Sequence, residues 1–129
     1  MKPLRTCAIM LAVAVLFLIA NRGAFRGYFS ADDLNNLAWT SHSMPLHWVE
    51  GLLTPRFSES NYRPTGHFVY YALGKTYGLD FRPFVWLIQL LHLANVALLW
   101  FLLLKFGAER RGAATAALLF AFHMACFDA

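Results

Sequence analysis

Residues 84–104 read FVWLIQLLHLANVALLWFLLL, an apolar run interrupted only by Gln89, His92 and Asn95. At about 1.5 Å of rise per residue, a helix of that length reaches ~30 Å, the thickness of a bilayer's hydrocarbon core. Such a run decides the solvent before it decides the fold. The rest of the chain agrees: 59% of its residues are hydrophobic and only 14% are charged, too apolar for an ordinary soluble domain.

Two further apolar segments flank this one. Residues 7–20 carry no polar side chain and follow Lys2 and Arg5. Their length also fits the core of a secretory signal peptide, but Leu18-Ile19-Ala20 offers a small residue at only one of the two positions cleavage needs. With Arg5 snorkelling and Gly23-Ala24-Phe25 lengthening the stretch, the segment reads as an uncleaved anchor over residues 5–25. The third segment, residues 112–128, repeats alanine every fourth position at Ala113, Ala117, Ala121 and Ala125. A stripe of small residues lets two membrane helices approach closely, so this segment is expected to pack on the second span as a hairpin.

Cys7 and Cys126 lie in the first and third of these segments, toward opposite membrane faces, and read as small hydrophobes rather than as a disulfide. Lys105, Arg110 and Arg111 crowd the turn after the second span, and Lys2 and Arg5 precede the first. The N-terminus and the turn after the second span are therefore placed in the cytoplasm and the loop at 26–83 outside. Arg22 and Arg26 oppose this weakly, since a loop of ~60 residues is at the length where charge counting loses force. The fold class expected is all-α: a polytopic membrane domain over residues 1–129 with spans at 5–25, 84–104 and 112–128. The location expected is the plasma (inner) membrane. The net charge of +4 is scattered rather than gathered in a stripe with interleaved aromatics. It speaks for the bilayer, anionic lipid or phosphate as partners and against nucleic acid.

The outer loop is rich in Trp39, Trp48, Tyr62, Tyr70, Tyr71 and Tyr77, side chains that settle at the membrane boundary, so short interfacial helices are expected within it. One begins at Ser30. Another begins at about Thr65, after Pro64, and ends at Gly78. The first would carry Asp32 and Asp33 at its second and third positions, where the helix dipole stabilises acids by about 0.3 to 1 kcal/mol and where Asp33 can bond back to Ser30. That accounts for acids being tolerated there. It leaves unexplained the other polar residues of the outer half: Arg63, whose planar fork suits a phosphate, and Gln89, His92 and Asn95. The last three share one arc of the second span and should face either protein or a water-filled cavity.

A first span, the pair Asp32-Asp33, then Tyr62-Arg63-Pro64, then Gly78-Leu79-Asp80-Phe81-Arg82-Pro83, then His92-Leu93-Ala94-Asn95 and a basic turn follow one another over about 100 residues. In order and spacing this resembles the N-terminal part of the GT-C membrane glycosyltransferases, most closely their protein O-mannosyltransferase-like and tetratricopeptide-bearing branches. The chain departs from that pattern at Thr65, at Trp86-Leu87 and at Met124, and Asp128 stands where the third span of those enzymes carries an acid. The resemblance implies transfer of a sugar, of hexosyl or mannosyl type, from a polyprenyl-phosphate donor to an acceptor hydroxyl on a glycan, lipid or protein at the outer face. It implies Asp32 or Asp33 as catalytic base, Arg63 on the donor phosphate, and Tyr62, Gln89, His92 and Asn95 lining the cavity. It also admits a divalent cation, Mg or Mn, on Asp32 or Asp33. Enzymes of that superfamily carry many more spans, so the 129 residues are expected to be an N-terminal portion, inactive alone. The rival expectation is a small non-enzymatic accessory or assembly protein of the membrane, in which the polar residues only join helices.

Overall fold

The computed structural model describes residues 3–42 and 63–123. Among the described residues every regular element is a helix: α1 (Pro3–Ala20), a 3-10 turn (Arg22–Arg26), α2 (Ala31–Ser41), α3 (Pro64–Tyr77), α4 (Arg82–Lys105) and α5 (Arg110–Ala121). The all-α class is as the sequence implied. Among the described residues one helix, α4, is long and apolar enough to cross a membrane; residues Ala8–Ala20 form a shorter apolar helical stretch. The helix over the first expected span ends at Ala20 rather than continuing to 25. There Asn21 turns the chain, its side-chain amide and its backbone N–H both donating to the Phe17 carbonyl at 2.9 Å. Residues 124–129, the end of the third expected span, lie outside the described residues.

Two compact units are present, Met1–Gly27 with Val85–Ala129, and Tyr28–Phe84. In the first, Ala113, Ala117 and Ala121 are buried against Val96 and Trp100 of α4 and Val13 of α1. Alanine lets the backbones close up here because no longer side chain stands between them. The outer faces stay apolar: Leu11, Ile19, Ile88, Leu98, Phe101 and Leu119 are all exposed. Helix α4 ends in a left-handed glycine cap. Gly107 takes φ 83°, its N–H donates to the Leu104 carbonyl, and the Ala108 N–H donates to that of Leu103. This pairing satisfies carbonyls the helix would otherwise leave open.

The second unit is built on α2 packed against α3. Pro64 opens α3, where its missing N–H costs nothing, and Gly78 at φ 60° closes it. Arg63, His67, Tyr70 and Gly74 recur at steps of four, three and four, one stripe of a 3.6-residue helix. At Gly74 an added Cβ would sit 2.9 Å from Leu37 Cδ2, so glycine is what lets α2 come this close.

Candidate functional site: the acid pair and the start of α3

Ser30 stands just outside α2 in extended backbone, so its side chain can turn back onto the first turn. The capping box is complete. Asp33 N–H donates to Ser30 Oγ at 3.4 Å, while Asp33 Oδ2 accepts from Ser30 N–H at 2.9 Å and from Ser30 Oγ–H at 2.7 Å. The other oxygen, Oδ1, accepts from the Tyr70 hydroxyl of α3, a side chain far along the sequence. Three of the roughly four acceptor positions of this carboxylate are thereby used. Asp32, one residue earlier and about 100° around the helix, is exposed, and among the described residues its carboxylate has no hydrogen bond or ion pair.

The Tyr70 ring is braced by apolar neighbours. It lies 5.7 Å from Phe84, which is buried and makes an edge contact with Phe29, centroids 5.1 Å apart; Phe29 also meets Phe81 at 5.0 Å. Electrostatics follow from this burial. Desolvation pushes the Asp33 carboxyl up, but the hydrogen bonds from Tyr70 and from both donors of Ser30 together hold it below its ordinary value. Burial, then the bond to Asp33 and its charge, push the Tyr70 phenol up to about 12, against an opposing pull from Arg63. His67 is buried under Trp39, ring centroids 4.6 Å apart. Burial first and then the Arg63 charge push its imidazole down, so it is neutral near pH 7.

Arg63 is exposed at the N-cap of α3. Its charge acts on both His67 and Tyr70, and the charge of Asp32 acts on Tyr70 as well. The Tyr70 phenol thus feels one charge of each sign besides that of Asp33. Between α2 and α3 there is also a cleft of about 430 Å³, lined mainly by apolar groups that include Leu34, Leu37, Tyr71 and Leu79.

Of the remaining candidates, Gln89, His92 and Asn95 belong to the other unit. Gln89 is buried and donates through Nε2 to the Asn21 carbonyl at 3.4 Å, while its Oε1 has no partner among the described residues. His92 lies between Phe17 and Phe120, at 5.0 and 5.4 Å, with Nε2 donating to the Ala121 carbonyl at 3.2 Å. Asn95 is exposed. Six residues are about 600° of helix, so it stands ~120° around from Gln89, and the arc expected from the sequence is too wide for one buried contact. Tyr62 lies outside the described residues.

As a cation site the pair is poor. Asp33 is committed to Ser30 and Tyr70, and among the described residues no group of three or more His, Cys, Asp or Glu side chains comes together to hold a metal ion. Asp32 alone could offer one carboxylate to a cation that a substrate phosphate also held. Two residues that the sequence reading left out of the site are Tyr70, then seen only as an interfacial aromatic, and His67. The signal for both was the stripe from Arg63 to Gly74, which marks the face α3 turns to a neighbour. No protein-family model, curated protein or solved structure matches the chain.

Proposed function

We propose that the chain is the N-terminal portion of a polytopic membrane glycosyltransferase of GT-C type, which moves a sugar with inversion from a polyprenyl-phosphate donor to an acceptor hydroxyl at the outer face. The observation that carries this reading is the asymmetry of the acid pair around Tyr70. Asp33 is used up in holding the turn; Asp32 keeps an open carboxylate, and the Arg63 guanidinium acts on the same phenol.

The division suits the reaction. Asp32 takes the proton of the acceptor hydroxyl as the acceptor oxygen bonds to the sugar's anomeric carbon. The bond from that carbon to the donor phosphate breaks, and the electron pair leaves with the phosphate. A phosphate leaving group needs charge stabilisation rather than a proton, which is what a five-donor guanidinium supplies. The membrane part of the reading is supported by α4, only 17% buried along its apolar window, where the core helix of a soluble protein would be mostly covered. Further support comes from the exposed apolar side chains of α1 and α5.

The test is Asp32→Asn, made in the membranes that naturally hold the protein, with release of polyprenyl phosphate from a polyprenyl-phosphate hexose as the readout. Asparagine keeps shape and removes basicity, so turnover should drop by about 100-fold or more with KM for the donor little changed. Activity within a few-fold of wild type would sink the reading.

A second reading, a non-enzymatic accessory protein, is favoured by the completeness of the capping box, which accounts for Asp33 without any chemistry. On that reading Asp32→Asn and Asp33→Asn both leave every transfer activity of the membrane unchanged. The only effect is a loss of stability of under about 1 kcal/mol for the cap.

A further inference from the structure

We infer that Tyr70 is a positioning residue for the acid pair: by occupying Asp33 it commits that carboxylate to structure and fixes the first turn of α2 against α3, leaving Asp32 as the acid that meets substrate. The inference rests on the transfer reading of the site and adds to it the residue that makes the two aspartates unequal.

Two kinds of contact hold Asp33. The Ser30 bonds are local, spanning three residues, and would form in any helix that began with Ser-x-x-Asp. They fix the start of α2 but not its place against anything else. The Tyr70 bond joins residues 37 apart in sequence and is the hydrogen bond that ties this turn to α3. A phenol can do this only if its ring cannot swing, and here the ring rests on Phe84. Phe84 also packs on Phe29, the residue before the capping Ser30. One buried aromatic therefore sets both the cap and the hydroxyl that reaches across to it. Tyr71 cannot take over, since it points about 100° further around the helix and its ring faces Lys75 instead, at 6.0 Å.

The consequence for chemistry is placement. A general base must lie within hydrogen-bond reach of the proton it takes, and a displacement of ~1 Å in such a group can cost 100-fold in rate. The Asp32 carboxylate has no partner among the described residues to place it, so its position is inherited from the backbone of the turn, whose Asp32 carbonyl accepts from the Asn36 amide at 2.9 Å. That turn is located by Asp33 and Tyr70.

The experiment compares Tyr70→Phe, Asp33→Asn, the double variant and Asp32→Asn, in native membranes for rate and as the purified 129-residue chain in detergent for carboxyl titration by NMR. Tyr70→Phe keeps the ring and its packing on Phe84 and removes only the donor. Its kcat should drop by about 10-fold or more with KM for the polyprenyl-phosphate hexose within ~2-fold. In the purified variant the Asp33 midpoint should move up toward the ordinary carboxylate value, since the hydrogen bond that lowers it is gone. A merely structural Tyr70 would lower the amount of folded protein and leave kcat per folded molecule in place. The double variant should be no slower than the slower single variant, because the two residues act through one bond. If Asp32→Asn is inactive while Tyr70→Phe keeps its kcat, the positioning role is wrong and the transfer reading stands. If Asp32→Asn stays active, both fall together.

Discussion

The bond between Asp33 and Tyr70 makes one acid and one phenol titrate in opposite directions, and the signs follow from which form the fold prefers. Burial pushes the Asp33 carboxyl up, and its three hydrogen bonds more than offset this, so its folded value lies below the ordinary 3.8. A depressed carboxylate contributes stability above that ordinary value, and the contribution is lost as pH falls through the folded one. Tyr70 is raised from 10.0 to about 12, first by burial and then by Asp33. Its contribution is complete below pH 10 and disappears as pH rises through about 12. Between those limits the pair is ionised acid and neutral phenol. In an alkaline titration of the purified chain followed by phenolate absorbance, one of the five tyrosines should ionise late, near 12, and Tyr70→Phe should remove that late step. A wild-type curve without a late step would contradict the part-buried bond between Tyr70 and Asp33. The half of this network that the sequence displayed is the local half: Ser30-x-x-Asp33 is a pattern four residues long. The other half was hidden because the partner of Asp33 depends on where two helices cross, and only the stripe through His67 and Tyr70 hinted at it.

At the crossing itself, an element-scale choice was made by a single glycine. Gly74 is interior to α3, where glycine is less favourable than alanine by about 1 kcal/mol. It also stands where any Cβ meets Leu37 Cδ2 at 2.9 Å. The clashing atom is the end of a flexible side chain, so Gly74→Ala should nearly cancel, helix propensity gained against packing lost, with a net change within about 1 kcal/mol. Gly74→Ile cannot be absorbed that way and should destabilise by roughly 2 to 3 kcal/mol, part of it recovered when Leu37→Ala is added. Thermal unfolding in detergent, followed by helical circular dichroism, reads all of these. An unchanged midpoint for Gly74→Ile would show that α2 and α3 are not in contact there. The boundaries of these helices were legible because proline and glycine mark them: Pro64 and Gly78 bracket α3 as expected. The end of α1 was not. Asn21 and Arg22 follow Ala20 before the apolar Ala24-Phe25 resumes, and what the pattern of hydrophobic residues does not reveal is that the Asn21 amide bonds back to Phe17 and stops the helix there.

On the scale of the whole chain, chemistry and apolar surface are segregated. The unit Tyr28–Phe84 holds the acids, Arg63 and the two histidine and tyrosine side chains around them, while the unit of α1, α4 and α5 shows apolar faces and buries an alanine stripe. That stripe was readable as a close approach of helices, but not its neighbours. Val13 of α1 packs on it as well as Val96 and Trp100 of α4, because small residues every four positions state how near a partner comes and not which one. The proposed membrane reading makes its strictest demand on sidedness, since Asp32 can serve the reaction only on the face where the donor presents its sugar. The exposed cations Lys105, Arg110 and Arg111 flank the glycine turn between α4 and α5, close enough to a span end for positive charge to hold that turn in the cytoplasm. A reporter fused after Gly107 should therefore read cytoplasmic, with α4 and its left-handed cap retained in the fusion. A reporter fused after Gly66 should read external, because an odd number of crossings separates the two points. Cytoplasmic signal after Gly66 and external signal after Gly107 would place Asp32 on the opposite face from the donor's sugar and end the transfer mechanism. Equal signal at both would mean that α4, despite its length, does not cross.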